Sequence, residues 1–104
     1  LVAEDPLPHQ EEFVSLFKEE YGNLPKVVES IGWDAVHAVA RGLREVGDIS
    51  REGALCEAAR ATYDGVTASY DFTAEDMTGM ALSSYVFSKL VDSEFTLLDY
   101  RIAE

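Results

Sequence analysis

The residue types equipped for chemistry in this chain are two histidines (His9 and His37), one cysteine (Cys56), the pair Ser83-Ser84 and a large stock of carboxylates. Nucleophilic catalysis needs a hydroxyl or thiol beside a base, and a metal site needs several His, Cys, Asp or Glu at ligand spacing. His9 follows Pro8 at a helix start, where a capping role suits it. His37 lies beside an apolar stripe, as a packed or surface histidine would. No metal-ligand motif surrounds either one. Ser83-Ser84 falls in a strand-like pattern without a nearby base. Cys56 sits in Ala54-Leu55-Cys56-Glu57-Ala58-Ala59 and is expected to act as a small buried hydrophobe; standing alone, it forms no internal disulfide. Gly53, Gly65 and Gly79 make no phosphate-cradling loop. The expectation is a protein that is not an enzyme and uses neither metal nor cofactor.

Binding is the remaining chemistry, and Trp33 is its candidate. It is the only tryptophan, it follows Ile31-Gly32, and the pattern puts it at the start of the best helix. A rigid, amphipathic ring at the end of an element can cover the apolar side of a small ligand. The competing role is an aromatic that packs on the core or staples the helix start. Asp34, next in the chain, is expected as a cap or first-turn carboxylate that interacts with the helix dipole.

The elements that must position these residues follow from periodicity. Pro6 and Pro8 mark an extended entry segment. Over 9–21, Phe13, Val14, Phe17 and Tyr21 recur at helical spacing, and Gly22-Asn23 ends the run. Ala35, Val36, Val39, Leu43 and Val46 form one stripe over 33–46, stopped by Gly47. A third helix is expected over 51–62, with Asp48 or Ser50 as its N-cap and Leu55, Ala58, Ala59 and Thr62 on one face. The period then changes to two. Val66, Ala68, Tyr70 and Phe72 alternate with polar residues, predicting a strand over 65–72. Residues 75–79 read as a loop. Segments 83–91 and 94–100, rich in aromatic and β-branched types around Asp92-Ser93, predict a hairpin. The fold class is α/β, three helices followed by a strand and a C-terminal β-hairpin. A lone hairpin and one strand are a poor platform for three amphipathic helices, so another part of the protein, or another copy, is expected to complete the sheet.

With 8 basic and 20 acidic residues the net charge is -12. That opposes nucleic acid and anionic lipid, whose affinity comes largely from Lys and Arg. At 47% hydrophobic the composition is that of a folded chain. No apolar run approaches the roughly 20 residues of a membrane helix.

Two stretches carry a family resemblance. Gly32-Trp33-Asp34-Ala35-Val36 is followed by Gly65 and by Tyr70-Asp71-Phe72-Thr73-Ala74-Glu75-Asp76-Met77-Thr78-Gly79. This order resembles the C-terminal part of a type I periplasmic (extracellular) solute-binding protein of the branched-chain amino acid ABC transporter family. There an aromatic-Asp-Ala step starts a helix, and a Gly-x-x-x-x-aromatic-x-Phe-(Ser/Thr)-x-x-Asp-x-x-Gly stretch and a hairpin follow. Ala74 stands where a subgroup has Pro, and Met77 where it has His. The resemblance implies that residues 1–104 are the C-terminal segment of a two-lobed receptor, an incomplete lobe plus inter-lobe crossing strands. It also implies a small solute (a branched-chain amino acid, amide or related carboxylate) and delivery to an ABC transporter permease. The compartment would be periplasmic or extracellular, with a lipid anchor as an option for the parent protein. Trp33 inherits a ligand-binding role at the mouth of the cleft. A sensor or regulator on the same fold, or a stand-alone acidic interaction module, is the alternative.

Overall fold

The computed structural model of the chain describes residues 1–73, 79–80 and 82–101. A short 3-10 turn at Pro8–Gln10 leads into helix α1, Glu11–Tyr21. Phe13 and Val14 are its buried residues. It ends as the sequence predicts: Gly22, at φ 73°, takes the left-handed conformation, and its amide donates to the Lys18 carbonyl at 2.9 Å.

Helix α2 runs Val27–Val46, so the predicted start at residue 33 is too late. Glu29 reaches back to accept from the Lys26 amide at 3.0 Å, which fixes the first turn there. Gly32, just ahead of the predicted start, is an exposed interior residue tolerated at a cost of about 1 kcal/mol. Gly47 terminates α2, its amide bonded to the Leu43 carbonyl.

Helix α3 is Ala54–Ala59, shorter than the predicted 51–62. Neither Asp48 nor Ser50 caps it. Asp48 instead accepts from the Ser50 amide and hydroxyl, closing a tight turn, and Gly53 at φ 79° leads into the helix. Cys56 is exposed on α3, not buried. The apolar face that α3 offers goes to α2, where Gly42 lies against the Ala58 carbonyl with no room for a Cβ.

The predicted strand over 65–72 is a hairpin turn plus a strand. Strand β1, Thr62–Asp64, pairs antiparallel with β2, Ser69–Asp71, in the register Thr62↔Asp71, Tyr63↔Tyr70, Asp64↔Ser69. Residues 65–68 form the turn between them, and all four are buried. The alternation of types there reflects a turn held by side chains from elsewhere. The loop expected at 75–79, with Ala74 and Met77, lies outside the described residues except for Gly79.

The C-terminal hairpin is present. Strand β3, Val86–Val91, pairs with β4, Glu94–Arg101, across a two-residue turn in which Asp92 and Ser93 have φ 50° and 68°. Two consecutive positive φ values are what a tight hairpin turn demands. Ser83 and Ser84 belong to a 3-10 turn, Leu82–Ser84, rather than to β3.

The described residues thus make a mixed helix-and-sheet structure with two separate two-stranded antiparallel sheets. Its core is small. Ala3, Phe13, Val14 and Val66 are buried, with Phe17, Leu24 and Trp33 packed around them. Much apolar surface stays outside: Val28 is 73% exposed and Phe95 83%. The radius of gyration is 16.1 Å, against about 13 Å for a compact chain of this length.

Candidate functional site

Asp34 lies in the second turn of α2, not at a helix end, and is 3% exposed. Its Oδ1 accepts from the Val66 amide at 2.7 Å and its Oδ2 from the Thr67 amide at 2.8 Å. The Tyr70 hydroxyl donates weakly to Oδ2 at 3.4 Å. The expected capping role is therefore corrected: Asp34 caps a hairpin turn across the structure. The other side of that turn is held by Gln10, whose Nε2 donates to the Val66 carbonyl at 2.7 Å while its Oε1 accepts from the Leu7 amide. A Cβ on Gly65 would overlap the Asp34 carboxylate, so the close approach requires glycine.

The two sequence stretches that carry the resemblance therefore meet, with Asp34 of the first holding the residues after Gly65 of the second. Sequence reasoning missed Gln10 altogether. It also misjudged Asp34, although one signal was available. Asp34 shares a face with Ile31, Ala35 and Ala38 at helical spacing, and an acid on an apolar stripe calls for a buried partner.

Trp33, the predicted ligand contact, is half-buried in the same turn of α2. Its ring centroid is 5.2 Å from Phe13 and 4.3 Å from His37, with the His37 ring stacked at 26°. His37 Nδ1 lies 2.9 Å from the Trp33 carbonyl oxygen. One side of the indole thus meets the core and another meets an exposed imidazole. The placement at a helix start is overturned by the earlier beginning of α2. His9 is exposed in the 3-10 turn. Among the described residues no Ser, Thr or Cys side chain bonds a histidine, and no three His, Cys, Asp or Glu form a metal-sized group.

A groove of about 530 Å³ opens between α2, α3 and the β1–β2 hairpin. Its helical wall includes Ile31, Ala35, Val39 and Leu55. The hairpin wall is aromatic: Tyr63 and Tyr70 stack at 6.4 Å and 19°, Tyr70 and Phe72 at 5.7 Å and 15°. Asp34 and Arg41 contribute its charged groups. Partial burial, then the nearby Asp34 charge, pushes both tyrosine hydroxyls above their ordinary pKa. A smaller pocket of about 110 Å³ lies between the N-terminal segment, the 65–68 turn with the start of β2, and Ser83-Ser84.

No helix among the described residues is long and apolar enough to cross a membrane. No family model, curated protein or solved structure matches the chain.

Proposed function

We propose that the chain is the C-terminal segment of a two-lobed, type I extracytoplasmic solute-binding receptor, which holds a small solute and delivers it to an ABC transporter permease. The observation that carries this reading is the Asp34 carboxylate on the Val66 and Thr67 amides. The aromatic-Asp-Ala step and the Gly-led stretch behave as two halves of one packing unit, which gives their order and spacing a physical reason. The uncovered apolar surface supports the reading too: Val27, Val28 and Val36 on α2 and Leu90 and Phe95 on the last hairpin are each at least half exposed. In the receptor, the rest of the lobe or another copy covers part of it.

On this reading Trp33 contacts solute with the part of its ring left outside the core, and no residue is catalytic. A solute between two lobes is held from both sides, so one wall alone gives little affinity. Calorimetry on the parent polypeptide, with branched-chain amino acids, amides and aromatic acids, should give saturable heat at micromolar solute. The 104-residue chain should give none. Tight binding of these solutes by the chain alone would overturn the proposal. A sensor on the same fold would bind the solute equally well and fail to stimulate a permease.

A further inference from the structure

We propose that the groove between α2, α3 and the β1–β2 hairpin binds a small hydrophobic ammonium compound that carries no carboxylate, an amine on an aromatic or branched apolar body, unlike the zwitterionic amino acids of the receptor reading. The proposal uses only residues of this chain and does not rest on the receptor reading.

Size and lining come first. Ligand sites usually measure about 300–1,000 Å³, mostly apolar with a few polar groups, and the groove holds about 530 Å³. Ile31, Ala35, Val39 and Leu55 offer an apolar side. The opposite side presents the near-parallel rings of Tyr63, Tyr70 and Phe72.

Charge decides the class of ligand. Asp34 lines the groove and is buried, and among the described residues no Lys, Arg or His pairs with it. Two backbone amides satisfy its hydrogen bonds as dipoles and leave its net charge uncompensated. Buried charges are ordinarily paired. Arg41, the cation of the lining, has its Nε on Glu45 at 2.8 Å, and its side chain is 48% exposed at the rim. Glu45 pairs that charge at the rim, so of the two charged groups in the lining Asp34 is the one without an ion partner among the described residues. The faces of aromatic rings attract cations, and more strongly where water is excluded. A positive group over Tyr63 and Tyr70, in the field of Asp34, meets each of these requirements, with its apolar body against α2 and α3. The net charge of -12 adds long-range attraction for a cation.

The test is calorimetry and saturation-transfer NMR on the full chain with three probes of similar size: phenethylamine, phenethyl alcohol and phenylacetate. Phenethylamine should bind saturably, at least tenfold more tightly than the alcohol, with phenylacetate weakest. Tyr63→Leu keeps the wall apolar and removes a ring face, and should shrink the amine's advantage severalfold while sparing the alcohol. Asp34→Asn should abolish the advantage if circular dichroism shows the variant folded; Tyr63→Leu decides the matter if it does not. Ethylamine separates the groove from diffuse attraction to an acidic protein, because it lacks the apolar body and should not saturate. Equal binding of amine and alcohol, preference for phenylacetate, or no saturable binding would each overturn the proposal.

Discussion

Removing the Asp34 carboxylate strands two buried amides, those of Val66 and Thr67. A buried donor without a partner costs about 1–3 kcal/mol, so Asp34→Ala should lose about 2–5 kcal/mol in urea unfolding followed by circular dichroism. A native chain holds only about 5–15 kcal/mol in all, and a small core places this one toward the low end. Gly65→Ala should be comparably damaging, because its methyl would enter the space of the carboxylate. An unchanged urea midpoint in both variants would mean that Asp34 does not anchor the turn. Two exposed carboxylates act on a smaller scale. The Ser50 hydroxyl and then its amide hold Asp48 below the ordinary value of 3.8, and Thr73 does the same for Asp71. Since folding depresses both pKa values, the support these turns receive is complete above 3.8 and fades as pH falls through the lowered values. NMR titration should place both midpoints below 3.8, and Ser50→Ala and Thr73→Ala should return them toward it. Midpoints at or above 3.8 in the parent chain would contradict the two turns.

At the scale of the element, Gly42 gives a reversal of sign. Glycine to alanine inside an exposed helix stabilises by roughly 0.5–1 kcal/mol. At Gly42 the added methyl meets the Ala58 carbonyl of α3, so Gly42→Ala should lower the melting temperature, whereas the same change at exposed Gly32 should raise it. A rise at both positions would show that α2 and α3 do not pack so closely. Trp33 joins α2 to α1 through Phe13. Trp33→Ala should cost about 3–5 kcal/mol if the ring acts as core; a smaller loss of stability with a tenfold to hundredfold loss of solute affinity in the parent would assign it to ligand. Much at this scale was legible beforehand. The helical stripe of α1, the stop at Gly47 and the Asp92-Ser93 turn each announce themselves through local chemistry. What was not legible depended on distant partners. The apolar stripe reads as starting at residue 33 only until Glu29 is seen accepting from the Lys26 amide, and 65–68 reads as strand until Asp34 and Gln10 are seen taking its backbone groups. Asp34 was visible in the sequence as an acid on an apolar face, but its partners lie more than 30 positions away, beyond the reach of local periodicity.

The whole molecule carries two opposing surface properties, exposed hydrophobic side chains and a net charge of -12. Repulsion keeps copies apart only while it is unscreened, and the Debye length falls from about 10 Å at 0.1 M salt to about 3 Å at 1 M. Sedimentation velocity should therefore show association increasing with sodium chloride, and an environment-sensitive dye should bind at low salt. A chain that stays monomeric and dye-silent throughout would mean that these surfaces are covered by the chain itself. The order in which the parts are made follows from the turn held by Gln10 and Asp34. Gln10 is 56 positions ahead of the carbonyl it grips, so during synthesis α1 and α2 exist well before the segment that locks them. Until Val66 and Thr67 emerge, Gln10 and Asp34 remain hydrated and the faces around Phe13 and Trp33 have no lid. Closing that long loop is the entropically costly event, and it comes late. A nascent chain halted between β1 and the 65–68 turn has formed most of its helical residues yet cannot hold them in place, which makes that short interval the moment of greatest exposure to proteases and to neighbouring chains.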